Sequence, residues 1–334
     1  MREPAFWQPP STWLSRLLLP LAAIYGEIAG HRMARRGTAI GIPVLCVGNY
    51  HVGGAGKTPT TLALVALLRE LGETPVVLSR GYGGSLRGPV KVDVIRHSAT
   101  EVGDEPLMMA RTVTTVISRD RVAGAALARS TGASVIVMDD GFQNPAVAKD
   151  ASIIVIDGDR GLGNGRVLPA GPLRAPLDLQ VARTDALLIV GHGTAADGVA
   201  ALAAAKGAPV WRAQLQPDAA SLEVLRGKRV LAFAGIGDPG RFFRTLRHAG
   251  VDVVIEREFV DHHPYTADEI ATLSAQAQRD GLILVTTEKD MVKLRGMAAS
   301  IVPFGITLAF DDVSAVRAFV TERLNIARAK KFRS

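Results

Sequence analysis

The chain has a single cysteine, Cys46, among its 334 residues. An internal disulfide is therefore excluded, and the composition fits a reducing compartment. Cys46 falls inside an apolar run and reads as a small core residue. Zinc-type Cys/His spacing, aromatic-basic interleaving and RNA-binding aromatic motifs are all missing, which makes nucleic acid the weaker candidate for the partner of a basic chain. Long hydrophobic runs are missing as well. The apolar stretch from Leu17 to Tyr25 is about half the length that crosses a bilayer, and Pro20 interrupts it. Its cations, Arg32, Arg35 and Arg36, follow the apolar part instead of preceding it, and no small-residue cleavage site is evident, which argues against a signal peptide.

What is present is enough apolar material for a sizeable core, 48% hydrophobic against 21% charged residues. The length predicts one large α/β body or two domains. The net charge of +7 predicts an anionic partner, with a phosphorylated metabolite or a membrane surface favoured over nucleic acid.

The chain is organised around PVLCVGNYHVGGAGKTPTT, Pro43 to Thr61. An apolar run predicts a strand, a glycine-rich segment follows, and Gly56, Lys57 and Thr58 open a helix. This is the setting of a phosphate loop: backbone N–H groups around Gly53, Gly54, Ala55 and Gly56 converge on an anion, Lys57 adds a cation, and the Thr58 hydroxyl is a magnesium ligand. The loop runs back through Val52 to His51, which stands where the strict pattern has its first glycine.

Its companion is ASVIVMDDGFQN, an apolar run ending in Asp139 and Asp140, the form of a strand whose terminal carboxylate holds magnesium directly or through water. PVVLSRGYGG predicts another strand whose carboxyl end presents Arg80 and Tyr82 to a nucleotide crevice. Residues 86–96 read as a short hairpin-like piece. In EVGDEPLMMAR, Asp104 precedes Glu105 and Pro106 as a plausible N-cap. A glycine- and proline-rich loop carrying Arg160, Arg166 and Arg174 is a candidate substrate lip.

After residue 216 a fresh β-α-β run begins, and its loop DHHP places His262 and His263 where a histidine can orient or polarise an acid. TTEKD lacks the asparagine and spacing of a guanine-reading motif. The predicted fold class is α/β, a P-loop NTPase-like, mostly parallel sheet flanked by helices with a second, smaller α/β domain. Expected boundaries are 1–36 for an amphipathic membrane-associated helix, 37–220 for the core, 221–297 for the smaller domain, and 298–330 for a strand (301–310) and helix returning to the core. The basic end RAKKFRS reads as solvated. In the first segment Trp13, Leu14, Leu17, Leu18, Leu21 and Tyr25, followed by arginines, suit an anionic membrane interface, with packing on the protein's own core as the alternative.

Taken in order, VGNYHVGGAGKTP, LSRGYGG, GDEP, RDRVAG, DDGFQ, LPAGPLR, DHHPYT and TEKDMVK resemble the tetraacyldisaccharide 4'-kinase family, the lipid A 4'-kinases of Gram-negative bacteria. The likeness extends from the amino-terminal helix to about residue 295. It implies a peripheral enzyme at the cytoplasmic face of the inner membrane that uses ATP and Mg2+. Its acceptor would be the 4'-hydroxyl of a tetraacyldisaccharide 1-phosphate and its product lipid IVA.

Carried over by residue, the resemblance implies that Asp104 is the catalytic acid that takes the hydroxyl proton and that His262 pairs with it. Lys57 and the loop from His51 to Thr58 would hold the phosphates, and Thr58 with Asp139 or Asp140 the metal. Arg80, Tyr82, Glu105, Arg121, Gln143 and Arg174 would support the site. Ala175 departs from the family, which often has glutamate after LPAGPLR. Two other readings of the residues remain at this stage: a nucleotide-driven metallochaperone or switch, and a soluble kinase for a small metabolite.

Overall fold

The computed structural model describes residues 4–10, 12–294, 296–297 and 300–331. The strands of its first two-thirds are β1 (Val44–Gly48), β2 (Pro75–Ser79), β3 (Val90–Lys91), β4 (Thr115–Ile117), β5 (Val135–Asp139), β6 (Ala151–Asp157), β7 (Ala186–Val190) and β8 (Val210–Pro217). A second set follows: β9 (Arg229–Ala234), β10 (Asp252–Glu258), β11 (Ile283–Thr287) and β12 (Ile301–Phe304), then β13 (Ile306–Phe310).

Among the described residues, nine strands form one sheet in the order β13-β8-β7-β6-β1-β5-β2-β4-β3. All its pairs are parallel except the two edges, β13 with β8 and β3 with β4. The central strands have no polar face. In β1 and β5, Val44, Cys46, Ile136 and Met138 enter one core, while Leu45, Val47, Val135 and Val137 enter the core on the other side. Burial on both faces is what a near-continuous apolar run in a parallel sheet requires. Cys46 is fully buried, and that burial pushes its thiol up to about 11, so it is an inert core residue.

The helix Lys57–Glu70 covers one face with Leu64, Val65, Leu67 and Leu68, joined there by Val316, Phe319, Val320 and Leu324 of the helix Val313–Lys331. The helix Arg121–Ser130 buries Ala125 and Ala128 on the opposite face.

The second body is a parallel four-stranded sheet, β10-β9-β11-β12. The span 301–310 is not one strand. It splits at Gly305: Ile301–Phe304 pairs with β11 in the small sheet, and Ile306–Phe310 pairs antiparallel with β8 in the large one. The small body therefore runs past 297, and the return to the core starts after Phe304. Apolar content alone could not locate that switch, since both halves are strand-like. The two crossings lie side by side, with the Asp218 amide donating to the Gly305 carbonyl at 2.9 Å and the Gly305 amide to Ser221 Oγ at 3.0 Å. Residues 86–96 are likewise not a hairpin, because only Val90–Lys91 is extended and its partner is β4.

At the amino-terminal end, the helices Trp13–Leu17 and Leu19–Met33 meet at Leu18, with Pro20 in the first turn of the second. Their inner face is made of small residues, Ser15, Ala22, Gly26 and Gly30. A Cβ at Gly30 would lie 2.8 Å from Leu179 Cδ1, so this face sits close on the helix Leu177–Ala182. Ser15 Oγ donates to the Ala170 carbonyl at 2.6 Å, and Asn164 Nδ2 donates back to Ser15 Oγ at 3.0 Å. The outer face carries Trp13, Leu17, Leu21, Ile24, Tyr25 and Ile28, all exposed, whereas Leu14 and Leu18 are half-buried. Among the described residues no helix is long and apolar enough to cross a membrane. The last three residues of the basic end lie outside the described residues.

Candidate active site

The loop between β1 and the helix Lys57–Glu70 is shaped by its glycines. Gly56, the residue before that helix, has φ +85°, and Gly53 has φ +105°, conformations that a side chain would strain. Among the described residues the amides of 53–56 donate to no backbone carbonyl, which leaves a nest of donors at a helix N-terminus. His51 and Val52 do not belong to that nest. The Val52 amide donates to the Pro172 carbonyl at 2.9 Å, and the buried His51 ring bonds through Nδ1 to the Val52 carbonyl at 2.9 Å. Burial lowers the His51 pKa and keeps the ring neutral. The predicted cradle therefore narrows to residues 53–58, braced from behind by the two residues before it.

The adjacent acids separate into different roles. Asp140, with φ +48°, accepts from Arg174 Nη1 at 2.7 Å and lies 3.7 Å from Lys57 Nζ. Burial would raise its pKa, but Lys57 and Arg174 prevail and hold it low. Asp139 is buried at the end of β5, where Thr61 Oγ1 and Ser79 Oγ approach its carboxylate at 3.4 and 3.3 Å. Burial first, then the charges of Glu105 and Asp140, push Asp139 up to about 7 despite Lys57 and Arg121. A buried acid with weak partners and a raised pKa is a carboxylate that a cation would stabilise.

Among the described residues no three His, Cys, Asp or Glu side chains are gathered for a metal. The donor set suits magnesium, which takes one or two protein oxygens and completes its shell with phosphates and water.

Asp104 is not an N-cap. It is the first residue of the helix Asp104–Met109, with Gly103 in the capping position at φ +93°, and its side chain makes no capping bond. Its carboxylate instead meets the small body: Oδ2 lies 2.9 Å from His262 Nδ1 and 3.9 Å from Lys293 Nζ. Burial raises the Asp104 pKa, yet the His262 hydrogen bond and the charges of Lys293 and Lys289 bring it below the usual carboxylate value. Neighbouring Glu105 lies 3.5 Å from Lys289 Nζ. The helix Asp104–Met109 packs against the phosphate-loop helix, and the charge of Glu105 acts on Asp139.

Beside His262 opens a cavity of about 540 Å³ lined by Arg80, Gly81, Tyr82, Gly83, Gly84 and Arg119. The Tyr82 ring stands 6.1 Å from that of His262. Arg121 and Gln143 support the site from beneath. The buried Arg121 guanidinium donates to the Leu78 and Asp139 carbonyls, tying β2 to β5, and Gln143 Nε2 donates to the Asn49 carbonyl at 2.7 Å. Ala175 is buried in the core, with its carbonyl accepting from Gln180 Nε2 at 2.8 Å, so no carboxylate is presented there.

Sequence reasoning missed Arg119, Lys289, Lys293 and Arg241. The two lysines lay inside TEKDMVK, which counted toward the family resemblance without either lysine being given a role. Arg241 gave no local signal, and it reaches from the helix Pro239–His248 of the small body to Asp157 at the end of β6.

A nest of backbone donors on a mostly parallel sheet, a buried acid of raised pKa beside it, and a buried carboxylate meeting a half-buried histidine of the second body are the parts a P-loop phosphotransferase needs. Residues 14–325 match the family described as Tetraacyldisaccharide-1-P 4'-kinase. A tetraacyldisaccharide 4'-kinase of Rhodopseudomonas palustris is 66% identical over 335 residues, covering 99% of this chain and 98% of the relative. One of Nitrobacter winogradskyi is 62% identical over 337 residues, covering 99% of each. The crystal structure of the Aquifex aeolicus member in complex with ATP superposes with a TM-score of 0.74 at 28% identity, covering 93% of this chain and 99% of that one.

The chain belongs to the tetraacyldisaccharide 4'-kinase family, and it is a kinase of lipid A biosynthesis. The switch and small-metabolite readings fall with that assignment.

Proposed function

We propose that this chain binds ATP with Mg2+ at the 53–58 loop and that Asp104 is the base of phosphoryl transfer to the 4'-hydroxyl of tetraacyldisaccharide 1-phosphate. The observation that carries the assignment is the Asp104–His262 contact at 2.9 Å, which sets a buried carboxylate of the large body against a half-buried histidine of the small one. As the hydroxyl oxygen forms its bond to the γ-phosphorus, its proton passes to Asp104 and the bond to the bridging oxygen of ADP breaks. His262, donating from Nδ1, keeps the carboxylate ionised and oriented until the proton arrives. Lys57 and the loop amides stabilise charge on the transferring group. Thr58 and Asp139 would hold the metal, which when bound neutralises phosphate charge, while Asp140 is occupied with Lys57 and Arg174. Arg80, Tyr82 and Arg119 line the cavity in which the acceptor sugar would sit.

The acceptor is a lipid, and the outer face of the amino-terminal helices gives the enzyme a way to meet it without extracting it. Trp13 is 75% exposed, Leu17 66% and Ile28 65%, next to Arg16, Arg32, Arg35 and Arg36. An exposed apolar stripe with flanking arginines supports peripheral attachment to an anionic leaflet, the cytoplasmic face of the inner membrane. The decisive experiment is transfer from labelled ATP to detergent-dispersed acceptor by the parent and Asp104→Asn. Equal rates would remove Asp104 as base, and no transfer by folded parent would reject the acceptor.

A further inference from the structure

The lysines after β11 converge on the acid pair from the far body. Lys293, 7% exposed, has Nζ 2.6 Å from Asp290 Oδ1 and 3.9 Å from Asp104 Oδ2, and it donates to the Gly235 carbonyl at 3.4 Å. It also stands over the Tyr265 ring, 5.2 Å from the centroid. Asp290 is fully buried and accepts from the Gly235 amide at 3.0 Å and Thr287 Oγ1 at 2.8 Å, which fixes it in the small body. Lys293 is thus anchored on one body and reaches a carboxylate of the other.

We propose that Lys293 is a positioning residue for phosphoryl transfer, anchored by Asp290 and holding the Asp104 carboxylate charged and in one orientation where the two bodies meet. The proposal rests on the role of Asp104 given above.

A buried carboxylate needs charge compensation as well as a hydrogen bond. The His262 imidazole supplies the bond, and the charge of Lys293 acts on the carboxylate beside it. The other charged groups facing Asp104 are His262 and Asp261 from the loop after β10, Lys289 and Asp290 from the helix Glu288–Met291, and Glu105 on its own helix. Lys289 is taken up by Glu105 at 3.5 Å and Asp261 at 3.9 Å, and lies 3.5 Å from His262 Nε2. Among the described residues, Lys293 is therefore the one lysine or arginine within ion-pair distance of Asp104. Asp290 offsets part of its charge, so its effect on Asp104 belongs at the low end of what a neighbouring cation does.

The test is the pH profile of kcat in the full chain for the parent, K293R, K293M, the double variant D290N/K293M, and Asp104→Asn. K293M leaves the Asp290 carboxylate buried without its cation and is prone to misfold. The double variant removes that charge, so its thermal unfolding should stay near the parent's. Expected are an acid limb moved up by about one pH unit in the double variant and a kcat about tenfold lower at neutral pH, with KM for ATP unchanged, and substantial recovery in K293R.

A folded double variant with the parental limb and rate would assign Lys293 to Asp290 alone and overturn the proposal. Asp104→Asn separates the two claims. Transfer that survives in it removes the base itself, whereas transfer lost in it alongside parental profiles in the lysine variants removes only Lys293.

Discussion

His262 Nδ1 and Asp104 Oδ2 meet at 2.9 Å although 158 residues of chain separate them. His262 has φ +60°, a left-handed conformation uncommon for a side chain, and its amide donates to the Gly235 carbonyl at 3.0 Å. Donation from Nδ1–H to Asp104 leaves Nε2 facing Lys289 Nζ at 3.5 Å and Asp261 Oδ1 at 3.7 Å. The pair therefore forms only where the large and small bodies meet, and the proposed transfer is tied to that contact.

Asp104→Asn should keep the shape of the pair and remove the base, lowering kcat by ~10²- to 10⁴-fold with nucleotide affinity intact. The sign of its stability effect is also determined. The folded pKa of Asp104 lies below its ordinary value, so its contribution is full above that value and disappears as acidification carries the pH through the folded pKa. Thermal unfolding of parent and variant should accordingly differ most near neutrality and converge in acid. A gap that widened on acidification would contradict the charged assignment.

Asp139 has the opposite sign. With its pKa pushed up to about 7, the folded state holds a proton over the window from roughly pH 4 to pH 7 in which the unfolded chain does not, so Asp139 makes stability fall as pH rises through that window. Asp139→Asn should flatten the profile and raise the unfolding temperature of nucleotide-free protein at pH 8 by ~2 °C or more. The same variant should lose most of the stabilisation that magnesium with a non-hydrolysable ATP analogue gives the parent. Calorimetry with and without the metal reads both effects.

The elements nearest the nucleotide were legible in the chain because their signals are local. A strand, a glycine-rich turn and Gly56-Lys57-Thr58 lie within twenty residues, and the runs ending at Asp139 and Ser79 point to the same sheet edge. What was not legible depends on partners distant in sequence. Asp104 has every local mark of a cap, yet Gly103 takes the capping position and Asp104 faces His262. Lys289 and Lys293 carry no signal of their own within TEKDMVK, and it is the packing of the helix Glu288–Met291 against Asp104–Met109 that brings this segment to the acid. The division at Gly305 was invisible because both flanking strands are apolar and extended, while the choice of sheet is made by their neighbours.

The exposed stripe makes a prediction that stability measurements should not register. Replacing Trp13, Leu17 and Leu21 together by glutamate alters side chains that face solvent, so the unfolding free energy should change by no more than ~0.5 kcal/mol per site. Co-sedimentation with vesicles rich in phosphatidylglycerol should weaken by at least ~10-fold, because apolar insertion and attraction by the arginines are both opposed. Undiminished pelleting would assign attachment to another surface.

Gly103 links backbone conformation to chemistry most directly. It has φ +93°, and a Cβ built there would fall 2.4 Å from the Tyr82 carbonyl oxygen, which is backbone and cannot move aside as a side chain can. Gly103→Ala should therefore displace either the start of the Asp104 helix or the Arg80–Gly84 turn that lines the acceptor cavity, at a cost of about 1–3 kcal/mol in stability. Because a displacement of about 1 Å at a base can cost ~100-fold in rate, kcat should fall far more than the fraction of folded enzyme, while ATP binding at the 53–58 loop on the other side of the crevice stays near parental. A variant that loses nucleotide affinity in step with kcat would show instead that the glycine holds up the phosphate loop, and that the two halves of the crevice are not independently built.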